Sequence, residues 1–373
     1  MKSNKNTLLI ITNLYPLPWE PNRATFNRQQ FSNIENEFDI YYLIPVAFLD
    51  WFKHYKQIKQ AKNIRLVPYF FLPKIGRRFY SIYMFLSILL HSGLWLYRLK
   101  PRKLLASWAY PDAVAASWLS KLFKLDFYFK VHGSDIDIQC LHTARANQVV
   151  KASQHAKGIL SVSQALAKKM VNLGVELGKI HVIYNGVSHD KFSQQPDRPY
   201  PQDYLLFIGN LKLDKGVMEL IDGFAKVCKE QPKLHLVYIG SGTMMPILRK
   251  RSQELQLTER VTFLGNVDHN DIPKWLNHST ALCLPSYHEG VPNVILEAMA
   301  SATPIIATSV GGIPEVLDKN VCGLIIPPKD SSAISNAIIK VCQTTWDKEA
   351  IKNHSVKFSW ERNKQQLIHF LSK

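Results

Sequence analysis

Cysteine is scarce in this 373-residue sequence, and none of its five cysteines stands in a CxxC pair. An odd number of isolated cysteines argues against a disulfide framework and against a structural zinc site, so we expect a reducing compartment. A secretory signal is not evident either, because Lys2 and Lys5 precede only the short apolar run 8–11. We find no internal repeat and no low-complexity tract. The chain is expected to be globular, cytoplasmic and long enough for two domains.

Acidic residues are also few, since 29 Asp and Glu face 46 Lys and Arg and give a formal net charge of +17. Residues 1–190 hold 25 basic and 11 acidic side chains, a balance of +14, whereas residues 191–373 hold 21 and 18, a balance of +3. A strongly basic half indicates contact with a polyanion or with an anionic membrane face. A basic surface that only aids solubility is the alternative. No RRM-like or KH-like signature is present, so a nucleic acid partner is not expected.

Short apolar runs alternate with helical patterns along the whole chain, and most of these runs end in a polar or glycine-containing loop. Such alternation predicts an α/β fold with doubly wound parallel sheets, in which ligands bind at the carboxyl ends of the strands. The expected strands include residues 7–12, 39–45, 104–107, 127–131, 159–163, 204–208, 234–239, 261–264, 281–284 and 304–308.

The clearest candidate linker is segment 193–203, which is polar and holds three prolines. It predicts an N-terminal domain over 1–192 and a C-terminal domain over 204–355. The last segment, 356–373, is predicted to contain a helix with no strand after it.

Two segments of the first half have a membrane-related pattern. Residues 51–59 place three lysines at helical spacing beside aromatic side chains, which predicts a helix that lies on a membrane surface or, alternatively, a solvated helix on the domain rim. Residues 79–97 contain no charged side chain and are long enough to span a bilayer. We reject a span, because strands before and after this segment are expected in one sheet. A buried or interface-facing helix is predicted instead.

A stretch in the second half, residues 285–300, carries two carboxylates separated by seven residues, Glu289 and Glu297. Pro285, Gly290 and Pro292 predict a loop around Glu289, and the apolar run that follows predicts a helix with Glu297 about one turn inside it. The backbone N–H groups from Gly290 to Val294 at such a helix start favour an anion or a hydroxyl-rich ligand. A plain surface loop followed by a packed helix is the alternative.

His132 and Asp135 follow the predicted strand 127–131, at the edge where parallel sheets bind ligands. A lone histidine is usually structural, but one next to Gly133 at the end of a strand is a candidate functional residue. In the second half, glycine-containing loops at the ends of strands would let a phosphate or sugar approach the backbone closely.

Taken in order, these segments resemble the retaining glycosyltransferases of family 4, which have the GT-B fold of two facing Rossmann-like domains. The most similar members are bacterial enzymes of cell-surface polysaccharide synthesis, including those that make teichuronic acid and exopolysaccharides. The resemblance runs nearly end to end, and Glu-x7-Glu alone would be weak support for it. Its parts are the Tyr15-Pro16 loop to Phe26, Trp108 to Asp112, His132 to Asp135, Asn185 to Val187, Gly209 to Gly216, Gly240 to Gly242, Glu289 to Glu297 and Thr308 to Glu315.

The resemblance implies a hexosyltransferase-like enzyme that uses a UDP- or GDP-sugar and retains the anomeric configuration. The implied catalytic residues are Lys215, Glu289 and His132. Lys215 would bind the diphosphate, and Glu289 would bind hydroxyls of the transferred sugar or stabilise positive charge on its ring. His132, from the other domain, would contact the donor sugar. Glu297 is expected to hold the ribose hydroxyls. The other implied donor-binding positions are Gly290, Val291, Pro292, Asn293, Val294, Gly209, Asn210, Gly240 and Gly265.

The sequence departs from the family pattern in two loops. Many members have Arg beside the glycine that precedes the phosphate lysine, and here Asn210 stands there, so Lys215 or Lys212 is expected to carry more of the phosphate binding. In the first loop, adjacent glycines are replaced by a segment that includes Arg23 and Thr25. We expect Arg23, Thr25 and Asp135 to contact the acceptor or the phosphate. The resemblance also implies a site without a bound metal, because members of this fold usually work without one, so neither a metal nor another cofactor is expected.

The resemblance also implies that the N-terminal domain takes the acceptor and that the C-terminal helix crosses back to pack on that domain. A basic N-terminal domain with the 51–59 helix, Arg77 and Arg78 fits an anionic membrane, so we expect a peripheral protein on the inner face of the plasma membrane. The acceptor would be a polyprenyl-linked or other glycan. Two alternatives stay open, a sugar-nucleotide epimerase of the same fold and a non-catalytic sugar-binding protein.

Overall fold

The structure, a computed structural model, describes residues 6–21, 23–58, 61–71, 76–193 and 195–372. The chain forms two compact units, one of residues 1–184 with 363–373 and one of residues 185–362. The division therefore falls at 184 rather than at 192. The backbone of Val187 forms a β-bridge with that of Ser359, and this contact joins the segment after Tyr184 to the second unit.

The first unit is built on a seven-stranded parallel sheet with the order β3-β2-β1-β4-β5-β6-β7. Its strands are β1 (Asn6–Ile11), β2 (Phe38–Ala47), β3 (Ile64–Tyr69), β4 (Lys103–Ser107), β5 (Asp126–Val131), β6 (Gly158–Ser161) and β7 (Ile180–Val182). The helices between them are α1 (Thr25–Ser32), α2 (Phe48–Lys53), α3 (Tyr80–Leu99), α4 (Val114–Phe123), α5 (Ser134–Asp137), α6 (Thr143–His155) and α7 (Gln164–Asn172).

Both faces of this sheet are covered. Along β1, Leu9 and Ile11 pack into one apolar cluster and Leu8 and Ile10 into the other, and all four side chains are fully buried. A strand that is buried on both faces has to be apolar throughout, which is why β1 is a continuous apolar run without polar alternation.

The second unit holds a six-stranded parallel sheet with the order β10-β9-β8-β11-β12-β13. Its strands are β8 (Tyr204–Ile208), β9 (His235–Ile239), β10 (Val261–Gly265), β11 (Ala281–Leu284), β12 (Ile305–Thr308) and β13 (Gly323–Ile326). Its helices are α8 (Val217–Val227), α9 (Met245–Glu254), α10 (Ile272–His278), α11 (Asn293–Ala300), α12 (Ile313–Val316), α13 (Ser331–Gln343) and α14 (Lys348–Ser355). The predicted α/β fold with doubly wound parallel sheets is confirmed in both units.

The final helix, α15 (Trp360–Ser372), starts in the second unit and belongs to the first from Asn363 onward. Leu367, Phe370 and Leu371 are buried in the apolar cluster that also contains Leu8 and Ile10. The C-terminal residues therefore complete the core of the first unit.

The two membrane-related segments differ in part from expectation. The basic helix predicted over 51–59 is not continuous, because α2 begins at Phe48 and ends at Lys53, and only a single 3₁₀ turn, Tyr55–Gln57, follows. Residue 59 lies outside the described residues. Within the described part of the chain, one helical stretch, Arg77–Leu99, is long and apolar enough to cross a membrane. Its neighbours β3 and β4 are both strands of the same sheet, so its two ends are tied to one layer of the fold.

Candidate active site

In the second unit, the candidate site begins where the strand order reverses. Strands β8 and β11 are neighbours in the sheet. From β8 the strand order continues outward to β9 and β10, and from β11 it continues outward on the other side to β12 and β13. At such a switch point the loops that leave the carboxyl ends diverge and form a crevice. Here those loops are 209–216 after β8 and 285–292 after β11, so the sheet brings Lys215 and Glu289 to the same place.

Close backbone packing holds these two loops together. A Cβ atom on Gly216, where φ is +66°, would lie 2.0 Å from the carbonyl oxygen of Pro285, so no larger residue fits without moving the loop. The backbone N–H of Tyr287 donates to the carbonyl oxygen of Asp214 over 2.8 Å. The position of Lys215 is thus fixed from both sides against the start of the Glu289 loop.

Lys215 and Glu289 form an ion pair, with Nζ 2.6 Å from Oε1. Both side chains are largely buried. The sequence assigned them to different parts of a ligand, the diphosphate and the sugar, and the structure places them in direct contact. An ammonium group and a carboxylate that touch in this way present one cation and one acceptor to a ligand that carries both phosphate and hydroxyl groups.

The helix after the Glu289 loop, α11, begins at Asn293, with Pro292 as the last residue before it. Pro292 therefore ends the loop just before the first helical turn, and Glu297 lies about one turn inside the helix, as expected. The loop after β12 fixes the helix start, since the N–H of Gly312 donates to the carbonyl oxygen of Gly290 over 2.7 Å. At Gly311, where φ is +55°, a Cβ atom would lie 1.8 Å from the backbone oxygen of Glu289.

Glu297 is held by two residues that the sequence did not reveal. His269 Nε2 lies 2.9 Å from Glu297 Oε1, and Lys191 Nζ lies 2.7 Å from His269 Nδ1. Because an ammonium group can only donate, Nδ1 accepts, and Nε2 carries the proton that is donated to Glu297. Burial lowers the pKa of Lys191. In the sequence, only the glycine-containing loop after β10 pointed to this part of the site, and His269 lies a few residues after that loop.

Three of the predicted donor-binding glycines meet at one edge of this sheet. The N–H of Gly209 donates to the carbonyl oxygen of Ile239, the residue before Gly240, over 3.0 Å. The N–H of Gly240 in turn donates to the carbonyl oxygen of Gly265 over 2.7 Å. The side chain of Asn210, next to Gly209, is exposed. Loops that are distant in sequence therefore form one glycine-lined wall beside β8.

In the first unit, Asp135 has a positioning role. Its fully buried carboxylate accepts from the backbone N–H groups of His132, Gly133 and Ala109 at 2.8–3.2 Å. Burial raises the pKa of Asp135 to about 6. This carboxylate holds the His132 loop to the end of β4 and has no exposed surface, which differs from the acceptor or phosphate contact expected from the sequence.

The imidazole of His132 is also oriented from within the unit. Its Nε2 lies 2.9 Å from Ser107 Oγ, and that hydroxyl donates to Asn27 Oδ1 over 3.2 Å. Because the serine proton is used in this way, Nε2 of His132 carries a hydrogen and Nδ1 does not. Burial holds the pKa of His132 well below its ordinary value, so the ring is neutral. Its ring packs beside Trp108, with centroids 6.0 Å apart.

The loop residues Arg23 and Thr25 are less tightly placed. Arg23 Nη1 contacts Glu20 Oε2 at 3.0 Å in a largely exposed ion pair. Thr25 is the first residue of α1. Their expected contact with an acceptor or phosphate stays a prediction.

A cavity of about 370 Å³ lies near His132, and all of its lining residues belong to the first unit. Trp108, which packs beside His132, forms part of its wall. The lining combines aromatic rings with polar groups, a composition suited to a sugar ring and its hydroxyls. The residues are Asn13, Phe71, Arg77, Tyr80, Trp108, Tyr110, Pro111 and Gln139. The sequence singled out Trp108 to Asp112 but not the residues that complete the cavity.

Within the described part of the chain, no group of three or more His, Cys, Asp or Glu side chains is arranged to hold a metal ion. A metal-free site stays a prediction.

Two family models match the chain. The model described as Glycosyltransferase Family 4 matches residues 48–191, and the model described as Glycosyl transferases group 1 matches residues 188–358. Among curated relatives, an uncharacterized glycosyltransferase of Methanocaldococcus jannaschii is 25% identical over 278 residues, 67% of this chain and 70% of that protein. TuaC of Bacillus subtilis, described as a putative teichuronic acid biosynthesis glycosyltransferase, is 27% identical over 253 residues, 65% of this chain and 61% of its own length.

Solved structures extend the likeness to both units. HepE of Anabaena in complex with UDP has a TM-score of 0.76 at 19% identity, with 98% of this chain and 99% of that chain covered. HepE in complex with UDP-glucose has a TM-score of 0.77 at 18% identity, with 98% and 100% covered. At this identity the likeness shows the fold.

The fold and the matched models define the class of protein, a glycosyltransferase. The two models together extend from residue 48 to residue 358, so the chain belongs to the family 4 glycosyltransferases of the GT-B fold type. The resemblance to family 4 glycosyltransferases stated from the sequence is confirmed, and retention of the anomeric configuration stays a prediction.

Proposed function

We propose that this protein transfers a hexose from a nucleotide-diphospho sugar, a UDP- or GDP-sugar, to a glycan or lipid-linked acceptor in surface polysaccharide synthesis, with retention of the anomeric configuration. The observation that carries the proposal is the Lys215–Glu289 pair at the switch point of the second sheet, with Glu297 on the helix that follows. One cation and two carboxylates at that position match the diphosphate, the sugar and the ribose of such a donor.

The donor end of the site divides into three parts. Lys215 binds the diphosphate as a point charge, and the N–H groups at the start of α11 add donors to the phosphate or sugar. Glu297 accepts from the ribose hydroxyls through the oxygen that His269 leaves open. Glu289 binds hydroxyls of the sugar or stabilises the positive charge that develops on its ring.

The proposed chemistry is front-face substitution. The bond between the anomeric carbon and the diphosphate oxygen breaks, the acceptor hydroxyl forms the new bond on the same face, and its proton passes to the departing phosphate. In this scheme neither Glu289 nor Glu297 is a covalent nucleophile, unlike the carboxylates of retaining glycosidases. The protein's task is to stabilise the leaving group and the sugar cation, for which a single well-placed donor is worth about 3–4 kcal/mol.

We assign the acceptor to the first unit. The cavity beside Trp108 has the aromatic and polar lining that carbohydrate ligands require, and Arg77 supplies a cation for a phosphate attached to such an acceptor. His132 is proposed to contact the donor sugar through the ring atom that the Ser107 contact leaves available. The pKa of His132, held low by burial, keeps that ring neutral, so it serves as a hydrogen-bonding group rather than a charge.

The relatives support the choice of donor and product. HepE is described in complex with UDP and with UDP-glucose, and TuaC is assigned to teichuronic acid biosynthesis. The HepE descriptions agree with a nucleotide-sugar donor, and the TuaC description agrees with a cell-surface polymer as product.

The test is a transfer assay with a panel of UDP- and GDP-hexoses, with membrane extract as the acceptor source. Release of nucleoside diphosphate with a lengthened, α-configured product, followed by NMR of the new anomeric proton, is the expected result. Lys215→Ala should lower transfer by about 10²–10³-fold, whereas Lys233→Ala, on an exposed lysine at the amino end of β9, should leave it unchanged. Conversion of the donor to its stereoisomer without release of nucleoside diphosphate would indicate an epimerase instead.

A further inference from the structure

Helix α3 has an exposed apolar face as well as a buried one. Met84, Ile88 and Leu96 pack into the core of the first unit and are almost fully buried. Leucines recur every fourth residue on the outer side, where Leu86 is 54% and Leu90 is 82% exposed. A helix of a soluble domain ordinarily places polar residues on its outer face, so this outer stripe calls for a separate function.

The stripe continues onto neighbouring elements of the same unit. Phe48 at the start of α2 and Phe70 after β3 line a groove of about 350 Å³ together with Leu86 and Leu90. Phe52, which is 64% exposed, stacks beside Phe48 with ring centroids 6.3 Å apart. We call this surface the apolar face, defined by Phe48, Phe52, Phe70, Leu86, Leu90 and Leu94. Its side chains are aromatic or aliphatic and form one exposed patch. Such patches mark sites that contact a membrane or a protein partner.

Charge distinguishes between the possible occupants. From residue 51 to residue 111 the sequence contains twelve Lys and Arg and no Asp or Glu. Exposed members of this set lie on the two helices that carry the apolar face or next to them in the sequence, namely Lys53, Lys56, Arg77, Arg78, Arg98 and Lys100. A second copy of this chain would bring the same positive charge and be repelled, whereas anionic lipid headgroups are attracted to these basic residues.

The topology determines how a bilayer could be met. Both ends of α3 are tied to strands of one sheet, and its inner face is part of the core, so the helix cannot leave the fold to span a membrane. A helix fixed in this way can only lie along the interface, with its outer side chains among the headgroups and the first carbons of the acyl chains.

We propose that the apolar face, with its neighbouring basic residues, seats the first unit on an anionic lipid bilayer by shallow insertion of its aromatic and leucine side chains. The contact is partly hydrophobic, so it differs from attraction by the basic residues alone. Arg77 and Tyr80 at the start of the same helix line the candidate acceptor cavity, so one helix carries both the apolar face and part of the cavity wall. The membrane contact does not depend on the proposed transfer activity, and it can be measured without any substrate.

Vesicle flotation of the full chain tests the proposal. Vesicles of phosphatidylcholine alone are compared with vesicles in which about a third of the lipid is phosphatidylglycerol, at low and at high salt. We expect binding to the anionic vesicles, reduced but not abolished by high salt. Leu86→Glu/Leu90→Glu should lower the partition coefficient at least about tenfold, because two charges would enter an apolar layer.

A matched control is available in the same unit. Leu122 and Leu177 are 57% and 68% exposed and lie on α4 and after α7, so Leu122→Glu/Leu177→Glu changes the charge equally without touching the apolar face. It should bind vesicles as the wild type does, after a small loss common to any added negative charge. The neutral pair Leu86→Gln/Leu90→Gln, which adds no charge, should also weaken the salt-resistant part of the binding.

Three results would overturn the proposal. The first is wild-type protein that stays unbound to anionic vesicles at low salt. The second is equal loss of binding in the two glutamate pairs while both keep the wild-type melting temperature. The third is a wild-type dimer in lipid-free solution that Leu86→Gln/Leu90→Gln converts to a monomer with vesicle binding unchanged, since the face would then serve a second copy of the chain.

Discussion

Lys215 donates a hydrogen bond to Glu289 over 2.6 Å, although the two residues are 74 positions apart in the sequence. The contact exists because β8 and β11 are neighbours in the sheet and because Gly216 allows its loop to rest on Pro285. Without a ligand the pair satisfies both charges in a largely buried setting. In the proposed function, a nucleoside diphosphate that binds there replaces the carboxylate as the partner of the ammonium group and leaves Glu289 to the sugar.

Substitution of the two partners should therefore have unequal effects. Lys215→Ala removes the cation for the diphosphate and should weaken nucleoside diphosphate binding and transfer, the latter by about 10²–10³-fold. Glu289→Ala should lower transfer by a similar factor while nucleoside diphosphate affinity stays within about threefold, because the carboxylate serves the sugar. Titration calorimetry with the nucleoside diphosphate and initial transfer rates measure the two quantities. Equal loss of nucleotide affinity in both variants would contradict the division of roles.

The Lys191–His269–Glu297 chain should control ribose binding. His269→Ala removes the donor that orients Glu297. We expect it to raise the Kd of the nucleoside diphosphate about tenfold, which corresponds to a loss of about 1.4 kcal/mol of binding free energy. His269→Gln keeps an N–H donor and should restore part of the affinity. A sugar 1-phosphate, which has no ribose, should bind all three proteins alike. If His269→Ala and His269→Gln bind the nucleotide as tightly as wild type, the positioning role is wrong.

Gly216 gives a test of loop geometry with a close control. Gly216→Ala combines a left-handed backbone with a contact to Pro285 that is too short for any Cβ. Gly76 has nearly the same φ, +62° against +66°, but a Cβ there would meet only a side-chain carbon at 3.6 Å. Gly76→Ala should cost about 1–2 kcal/mol of folding free energy and leave nucleotide affinity unchanged. Gly216→Ala should cost more and also abolish nucleotide binding, as measured by urea unfolding and calorimetry.

Lys130 should make stability depend on pH. Its side chain is almost fully buried on β5 and donates to Gln30 Oε1 over 2.7 Å, and burial lowers its pKa from 10.5 to about 7. Since the folded state disfavours the charged form, the stability associated with Lys130 is present above pH 10.5 and is lost as the pH falls toward 7.

Lys130→Met removes this titration. Compared with the variant, the wild type should lose unfolding free energy as the pH is lowered between these two values, by at most about 1.4 kcal/mol per pH unit. Urea unfolding of both proteins at several pH values gives the difference directly. Parallel curves for the two proteins would show that Lys130 is not responsible.

The sequence was sufficient for the parts of the fold in which local pattern and environment agree. Continuous apolar runs such as that of β1 are dictated by burial on both faces, and they were found. The edge strands β3 and β13 were missed, because β3 contains Pro68 and β13 is a four-residue strand that starts at Gly323. Helix α2 begins three residues earlier than predicted, since aromatic and basic spacing does not show where a helix begins.

The candidate site was only partly accessible from the sequence. Lys215, Glu289 and Glu297 could be found because they lie in loops marked by glycine and proline. Their partners could not. The glycine-containing loop before His269 does not show which side chain that histidine contacts, and Lys191 reaches His269 only through tertiary packing. Asp135 shows the opposite difficulty: a carboxylate at the end of a strand suggests a ligand, but backbone donors from two loops use it fully.

The central claim is that the second unit binds a nucleotide-diphospho sugar through Lys215 and Glu297. Thermal unfolding of the full chain with UDP, GDP and ADP tests it most directly, with Glu297→Ala and, as control, Glu259→Ala on an exposed glutamate at the amino end of β10. UDP or GDP at about 100 times its Kd should stabilise the wild type and Glu259→Ala by about 2.7 kcal/mol and have little effect on Glu297→Ala. No stabilisation by any of the three nucleotides, or equal stabilisation of all three proteins, would contradict the claim.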